Sequence, residues 1–139
     1  YPLDQNIYQS VKGMTAAEAT CRRDGVIIIA AECCDGHGGE TFYNTFKNID
    51  SAVGVMAQIE KRGRNETEPD QWESQVLARV LLKHRVIFVT ELENKELVEN
   101  MNMQWASDLD QALTMAEKII DDKAATITVI PDGVGVIVE

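Results

Sequence analysis

Apolar and polar positions recur along this chain with two different periods, and the changes of period mark out its elements. Ile7 and Val11 lie four apart after Asp4, which predicts a short helix capped by Asp4 and stopped at Gly13. Thr15-Ala-Ala-Glu18 has the form of a capping box and predicts a second helix to about Arg22. Asp24-Gly25 reads as a turn. Val26-Ile-Ile-Ile-Ala-Ala31 is continuously apolar, as a strand covered on both faces must be. Glu32 to Gly39 is a polar, glycine-rich loop. Phe42, Tyr43 and Phe46 then resume helical spacing from Glu40 to about Lys47.

The second half repeats this alternation. Ser51 is placed to cap a helix carrying Val55, Met56 and Ile59, and Gly63 to Pro69 is a charged loop. Asp70-Gln-Trp-Glu73 is another capping box, opening a long helix to about Lys83. Val86 to Val89 predicts a second buried strand, Asn94 to Asn100 a short helix, and Gln104-Trp105-Ala106 is a candidate short strand. Ser107-Asp-Leu-Asp110 begins a helix to about Asp121. Ile127 to Ile130 predicts a third main strand, closed by Pro131-Asp132-Gly133, with a last apolar stretch from Val134 to Val138. Helices between strands imply crossover connections. The predicted fold class is α/β: a three-layer arrangement, mainly parallel, with helices on both faces. In such sheets ligands gather at the carboxyl ends of the strands. That draws attention to Glu32–Gly39, Thr90-Glu91 and Pro131–Gly133.

Length and charge narrow the classes. A chain of 139 residues suits one domain, here 1–139, and has no internal repeat or linker-like composition. Its net charge of −10 disfavours nucleic acid and anionic membrane surfaces as partners. The longest apolar run, Val26 to Ala31, is far short of the roughly 20 residues of a membrane helix. No signal-peptide pattern opens the chain. It begins Tyr-Pro-Leu without Met, as expected of a processed or excised part of something longer. Cys21, Cys33 and Cys34 fit neither a disulfide framework nor a metal knuckle, and predict reduced thiols in a cytoplasmic compartment.

Few residues carry chemistry on pattern alone. In Glu32-Cys-Cys-Asp-Gly-His-Gly-Gly-Glu40, the glycines allow close backbone approach, His37 suits proton transfer, and the next helix start suits an anion. The competing reading is a tight turn in which Asp35 caps and Gly36, Gly38 and Gly39 serve geometry. The spacing is neither a P-loop nor GxGxxG, and the acidic, thiol and imidazole groups are too close in sequence to converge on one metal. Tyr8 and Lys12 share a helix face with Gln9 beside them, a set able to hold a carboxylate and hydroxyl; equally, Lys12 suits a helix end. Trp72 is in phase with Val76 and Val80, either as core or projecting over a cleft. His84, at a helix end, reads as structural. The four serines, Ser10, Ser51, Ser74 and Ser107, include none in GxSxG.

Taken together, Tyr8-Gln-Ser-Val-Lys-Gly13, Thr15–Glu18, Ala30–Glu40 with Phe42-Tyr43, and Asp70-Gln-Trp72 resemble the C-terminal domain of the nickel-dependent lactate racemase family. The resemblance runs over essentially the whole chain. It implies a two-domain isomerase that racemises or epimerises a small 2-hydroxy acid with a nickel-pincer nucleotide. By the same resemblance, the cofactor would accept a hydride from the substrate Cα and return it to either face. The cofactor-tethering lysine, the nickel-ligating histidine and the acid/base histidines are implied to lie in the N-terminal domain. This fragment alone would then bind neither metal nor cofactor and be inactive. Lys12 is implied to bind or polarise the substrate, Tyr8 and Gln9 to orient it, and Trp72 to wall the pocket. Asp35, Gly36, His37, Gly38 and Gly39 are implied to shape the interdomain cleft. Two other readings compete: a non-catalytic α/β binding domain that retains the fold, and an α/β enzyme using Asp35-Gly-His37 for anion chemistry.

Overall fold

A computed structural model describes residues 1–122 and 124–135. Its elements, in order, are α1 (Ile7–Thr20), β1 (Val26–Ala30), α2 (Glu40–Lys47), α3 (Ala52–Glu60), α4 (Gln71–Leu81), β2 (Arg85–Val89), a 3-10 turn (Leu92–Asn94), α5 (Lys95–Asn100), β3 (Gln104–Ala106) and α6 (Leu109–Ile120). The sheet is three-stranded and parallel, in the order β1-β2-β3, with Val26 opposite Arg85 and Ile87 opposite Gln104. Successive side chains on a strand face opposite ways. Ile27, Val86 and Phe88 therefore enter a large cluster with Ile7, Val11, Phe42, Phe46 and Leu77, while Ile87 enters a smaller one under Ala112 of α6. Both faces are covered, which is why the strands read as unbroken apolar runs.

Two predicted boundaries are corrected by packing. The first two predicted helices are one, and its cap is Asn6, whose Oδ1 accepts from the Gln9 amide at 2.9 Å, rather than Asp4. Gly13 does not stop it. A Cβ there would stand 3.1 Å from Ile29 Cδ1 and 3.9 Å from Gly133 Cα, so the missing side chain permits close approach inside a helix. Thr15 spends its hydroxyl on the Lys12 carbonyl at 2.7 Å. Glu18 spends its carboxylate across the α1–α4 seam, on Arg79 at 2.7 Å and Lys83 at 2.8 Å. Burial alone would raise the Glu18 pKa, but these hydrogen bonds outweigh it and hold the carboxyl below its ordinary value.

The third strand is also corrected: it is Gln104–Ala106, and residues 127–130 form none. Ile127 and Val129 are 73% and 78% exposed. β-branched composition makes a strand only where a neighbour supplies the ladder, and among the described residues none does so here. The predicted apolar stretch from Val134 to Val138 lies mostly outside the described residues. Pro131, Asp132 and Gly133 nevertheless end beside Ile29, Ala30 and Ala31 at the carboxyl end of β1, across a concavity of about 410 Å³.

Candidate functional site

The first turn of α1 is built on the loop after β1. Ile7 and Tyr8 donate their amides to the carbonyls of Gly36 and His37 at 3.0 and 3.2 Å, so two of the helix's orphan donors are spent on the loop. Gly38 has φ +78°, and a Cβ there would collide with the Asn6 side chain that caps the helix. The loop is held from below as well. Thr90 at the end of β2 donates to the Glu32 carbonyl at 2.9 Å, and Asn94 donates to the Cys33 carbonyl at 3.2 Å.

His37 is engaged inside this loop. Its Nδ1 accepts from the Gly39 amide at 3.1 Å, its ring stacks on Tyr43 with centroids 4.8 Å apart, and its Nε2 lies 3.5 Å from Glu40 Oε2. The start of α2 is thus occupied by His37 and by the acidic Glu40. The expected cap at Asp35 is absent: Gly39 is the capping position and makes no side-chain bond. Cys33 is buried with φ +56°, and burial pushes its thiol up to about 11, so it is no nucleophile in this setting; Cys34 is exposed.

Tyr8, fixed by the loop, brings the predicted substrate-side residues together. Its ring meets Trp72 edge-on with centroids 5.9 Å apart, and its hydroxyl donates to Asp70 Oδ1 at 3.3 Å. Burial, then the nearby carboxylates of Asp70 and Glu73, raise the Tyr8 pKa, which keeps the phenol a neutral donor. One turn on, Lys12 Nζ donates to Gln9 Oε1 at 2.5 Å. The ammonium has two further N–H groups and the Gln9 amide nitrogen two. Trp72 is 56% exposed despite its helical phase with Val76. With Met56, Gln75, Val76 and Arg79 it lines a concavity of about 320 Å³.

Two residues of this corner, Asp70 and Glu73, have no role expected from sequence beyond the ends of a capping box. Asp70 does precede α4, but at φ +60° and without a side-chain cap; its carboxylate turns to Tyr8 instead. Glu73 does not reach back to the cap. It is 1% exposed, its Oε1 has no hydrogen-bond partner among the described residues, and burial pushes its pKa up to about 7 against the pull of Lys12. A box pattern cannot distinguish carboxylates that cap from carboxylates that turn inward, so nothing in the spacing marked them. His84 is buried, and burial lowers its pKa, which places a neutral ring, not a cation, at that helix end. Among the described residues no group of three or more His, Cys, Asp or Glu side chains is arranged to hold a metal, and no helix is long and apolar enough to cross a membrane.

The chain resembles known proteins along its length. The family described as lactate racemase C-terminal domain matches residues 1–138. A lactate racemase of Thermoanaerobacterium thermosaccharolyticum is 61% identical over 138 residues, covering 99% of this chain and 32% of that protein. One from Lactiplantibacillus plantarum is 50% identical over 139 residues, covering 100% and 32%. The solved structure of the T. thermosaccharolyticum lactate racemase apoprotein superposes with a TM-score of 0.96 at 60% identity, over 100% of this chain and 33% of that one. The chain therefore spans about a third of the length of these relatives.

Proposed function

The chain belongs to the lactate racemase C-terminal domain family, and on that premise we propose that it is the cleft-closing domain of a 2-hydroxyacid racemase or epimerase that supplies substrate-orienting side chains. The partner across the cleft is the enzyme's own N-terminal domain, and the compartment is the cytoplasm. Support comes from one observation above all: Tyr8, Gln9, Lys12 and Trp72 converge on a single corner between α1 and α4. A nickel-pincer nucleotide, when bound by the complete enzyme, supplies the hydride acceptor. Its anchoring belongs, as the family resemblance implies, to the N-terminal domain.

Each residue has a task that follows from its chemistry. Taking hydride from Cα turns a hydroxyl-bearing carbon into a planar carbonyl, and both this oxygen and the substrate carboxylate demand positive charge. Lys12 provides it, and a fixed cation in a closed, water-poor cleft is worth far more than one in water. Gln9 holds the ammonium and keeps amide donors free to orient the substrate. Tyr8 donates to Asp70 and retains its oxygen as an acceptor. Trp72 presents an apolar wall, suited to excluding water from one side of the acid. The loop from Asp35 to Gly39 shapes the cleft by fixing where α1 begins.

The test is Lys12→Ala in the complete, cofactor-loaded enzyme, following interconversion of D- and L-lactate by polarimetry. Loss of a preorganised cation lowers kcat by about 10²- to 10³-fold. An undiminished rate would remove Lys12 from the chemistry.

A further inference from the structure

Glu73 is the one carboxyl of the corner that no hydrogen bond explains. Its side chain is 1% exposed on the first turn of α4, and its Oε1 is unpartnered among the described residues. Burying an unsatisfied carboxyl is unfavourable, so its retention calls for a reason. The groups that act on it are the same ones that form the substrate-side corner. The Lys12 ammonium favours its ionised form and Asp70 opposes it, and Glu73 in turn acts on the Tyr8 phenol. The charged or titratable groups that bear on it are Lys12 and Tyr8 of α1 and Asp70 at the cap of its own helix. The buried side chains of α2 and α3, which also pack on α4, are Phe42, Tyr43, Phe46, Ala52, Val55 and Ile59. Of these only Tyr43 titrates, and its hydroxyl accepts from Asn100 at 2.8 Å.

The α1–α4 seam runs from Tyr8 against Asp70 and Trp72 to Glu18 against Arg79 and Lys83, which sets Lys12 level with the first turn of α4. A substrate carboxylate received by Lys12 then arrives on the same side as an inner carboxyl that water barely reaches. With no substrate bound, an ionised Glu73 balances the ammonium. When a second carboxylate arrives, two anions share one cation in a poorly solvated site, and like charges at short range cannot both remain ionised at small cost. The inner carboxyl is free to neutralise, because its buried Oε1 makes no hydrogen bond among the described residues that protonation would break.

Resting on Lys12 as the cation that receives the substrate carboxylate, we propose that Glu73 takes up a proton when a 2-hydroxy acid binds, keeping the Lys12 corner at constant charge. Glu73 is a positioning residue in this scheme, acting on substrate through Lys12. The protonation equilibrium is poised for it, since burial already raises the carboxyl to about 7 in the unliganded domain. The proton comes from solvent and returns when the acid leaves, so the complete cycle is balanced.

The experiment is isothermal titration calorimetry of the complete enzyme with racemic lactate, which undergoes no net conversion. Buffers of different ionisation heat read the protons taken up per lactate bound between about pH 6.5 and 8.5. Wild type is expected to take up a fraction of a proton that rises toward one above neutrality, with affinity falling by up to about ten-fold per pH unit there. Glu73→Gln is expected to bind lactate with no proton uptake and a flat affinity over that range. Proton-free binding by wild type would overturn the proposal by itself, whether or not the variant folds. Equal uptake by Glu73→Gln would do the same. Lys12→Ala separates the two readings: if it binds lactate as wild type does, the role given to Lys12 fails. If binding needs Lys12 and no proton is taken up, only the role of Glu73 fails.

Discussion

The loop from Asp35 to Gly39 and the corner between α1 and α4 are neighbours, both rich in polar groups, yet they differ in what they leave unspent. In the loop the backbone carbonyls of Gly36 and His37 accept from α1, His37 accepts from Gly39 and stacks on Tyr43, and Gly38 gives its volume to Asn6. In the corner Trp72 is exposed, Lys12 and Gln9 retain donors, and Glu73 is buried with its Oε1 unpartnered among the described residues. A polar group whose bonds are all made within the domain acts as scaffold. One that is held in place with capacity left over is available to a ligand.

The largest expected effect sharpens the corner's side of this contrast and concerns stability. The Glu73 pKa is raised in the folded chain to about 7 from an ordinary 4.5. The folded state therefore favours the protonated form. The associated stability is fully present below about pH 4.5 and is lost as pH rises through about 7. At pH 8 the buried carboxylate weakens the fold by up to about 3 kcal/mol. Glu73→Gln should therefore melt higher than wild type at pH 8 and gain little at pH 4.5, in thermal denaturation of the complete protein. A carboxylate retained only for structure predicts the reverse, a variant less stable at pH 8.

The second effect belongs to the loop. Gly38→Ala forces a side chain into the left-handed region and against Asn6, so the α1 cap is lost along with the loop geometry. The two contributions sum to about 2 kcal/mol. Denaturant unfolding measures this, and because Asn6 immediately precedes the first turn that carries Tyr8, kcat/KM should fall in parallel. A stable Gly38→Ala with impaired turnover would move the loop from scaffold to site.

The same distinction explains how much was legible in the sequence. β1 and β2 are readable because strands buried on both faces must be apolar throughout, α3 and α6 because cap and period agree, and α2 because its aromatic period matches its buried face. The stop expected at Gly13 is absent because a helix-stopping glycine and a packing glycine look alike until Ile29 and Gly133 are seen against it. Residues 127–130 have strand composition, but pairing is a property of the neighbour and leaves no mark in the segment itself. At the site, pattern placed Tyr8, Gln9 and Lys12 on adjoining positions of one helix. It could not place Trp72 beside them, since 64 residues separate Tyr8 from Trp72. The family resemblance supplied that link. Neither route gives a role to Asp70, which enters the resemblance only as part of Asp70-Gln-Trp72, or to Glu73, because Asp70 to Glu73 follows a capping pattern that the geometry does not use.

The smallest effect tests the comparison where it is most exposed, at His37. A strand-end histidine on a glycine-rich loop invites a catalytic reading, and its imidazole is one of only two in the chain. Its Nδ1, however, is occupied by the Gly39 amide, its face by Tyr43, and its Nε2 lies toward Glu40. Removing the ring forfeits one stacking contact and one loop hydrogen bond, together about 1 kcal/mol. His37→Ala should therefore unfold slightly earlier in denaturant, while the pH profile of kcat keeps its shape and the rate changes only as far as Tyr8 shifts. A proton-transferring histidine behaves otherwise: its loss lowers kcat by about 10²- to 10⁴-fold and removes one limb of the profile. Such a result would place the chemistry in the loop and leave the corner as its support, reversing the assignment made from their hydrogen bonds.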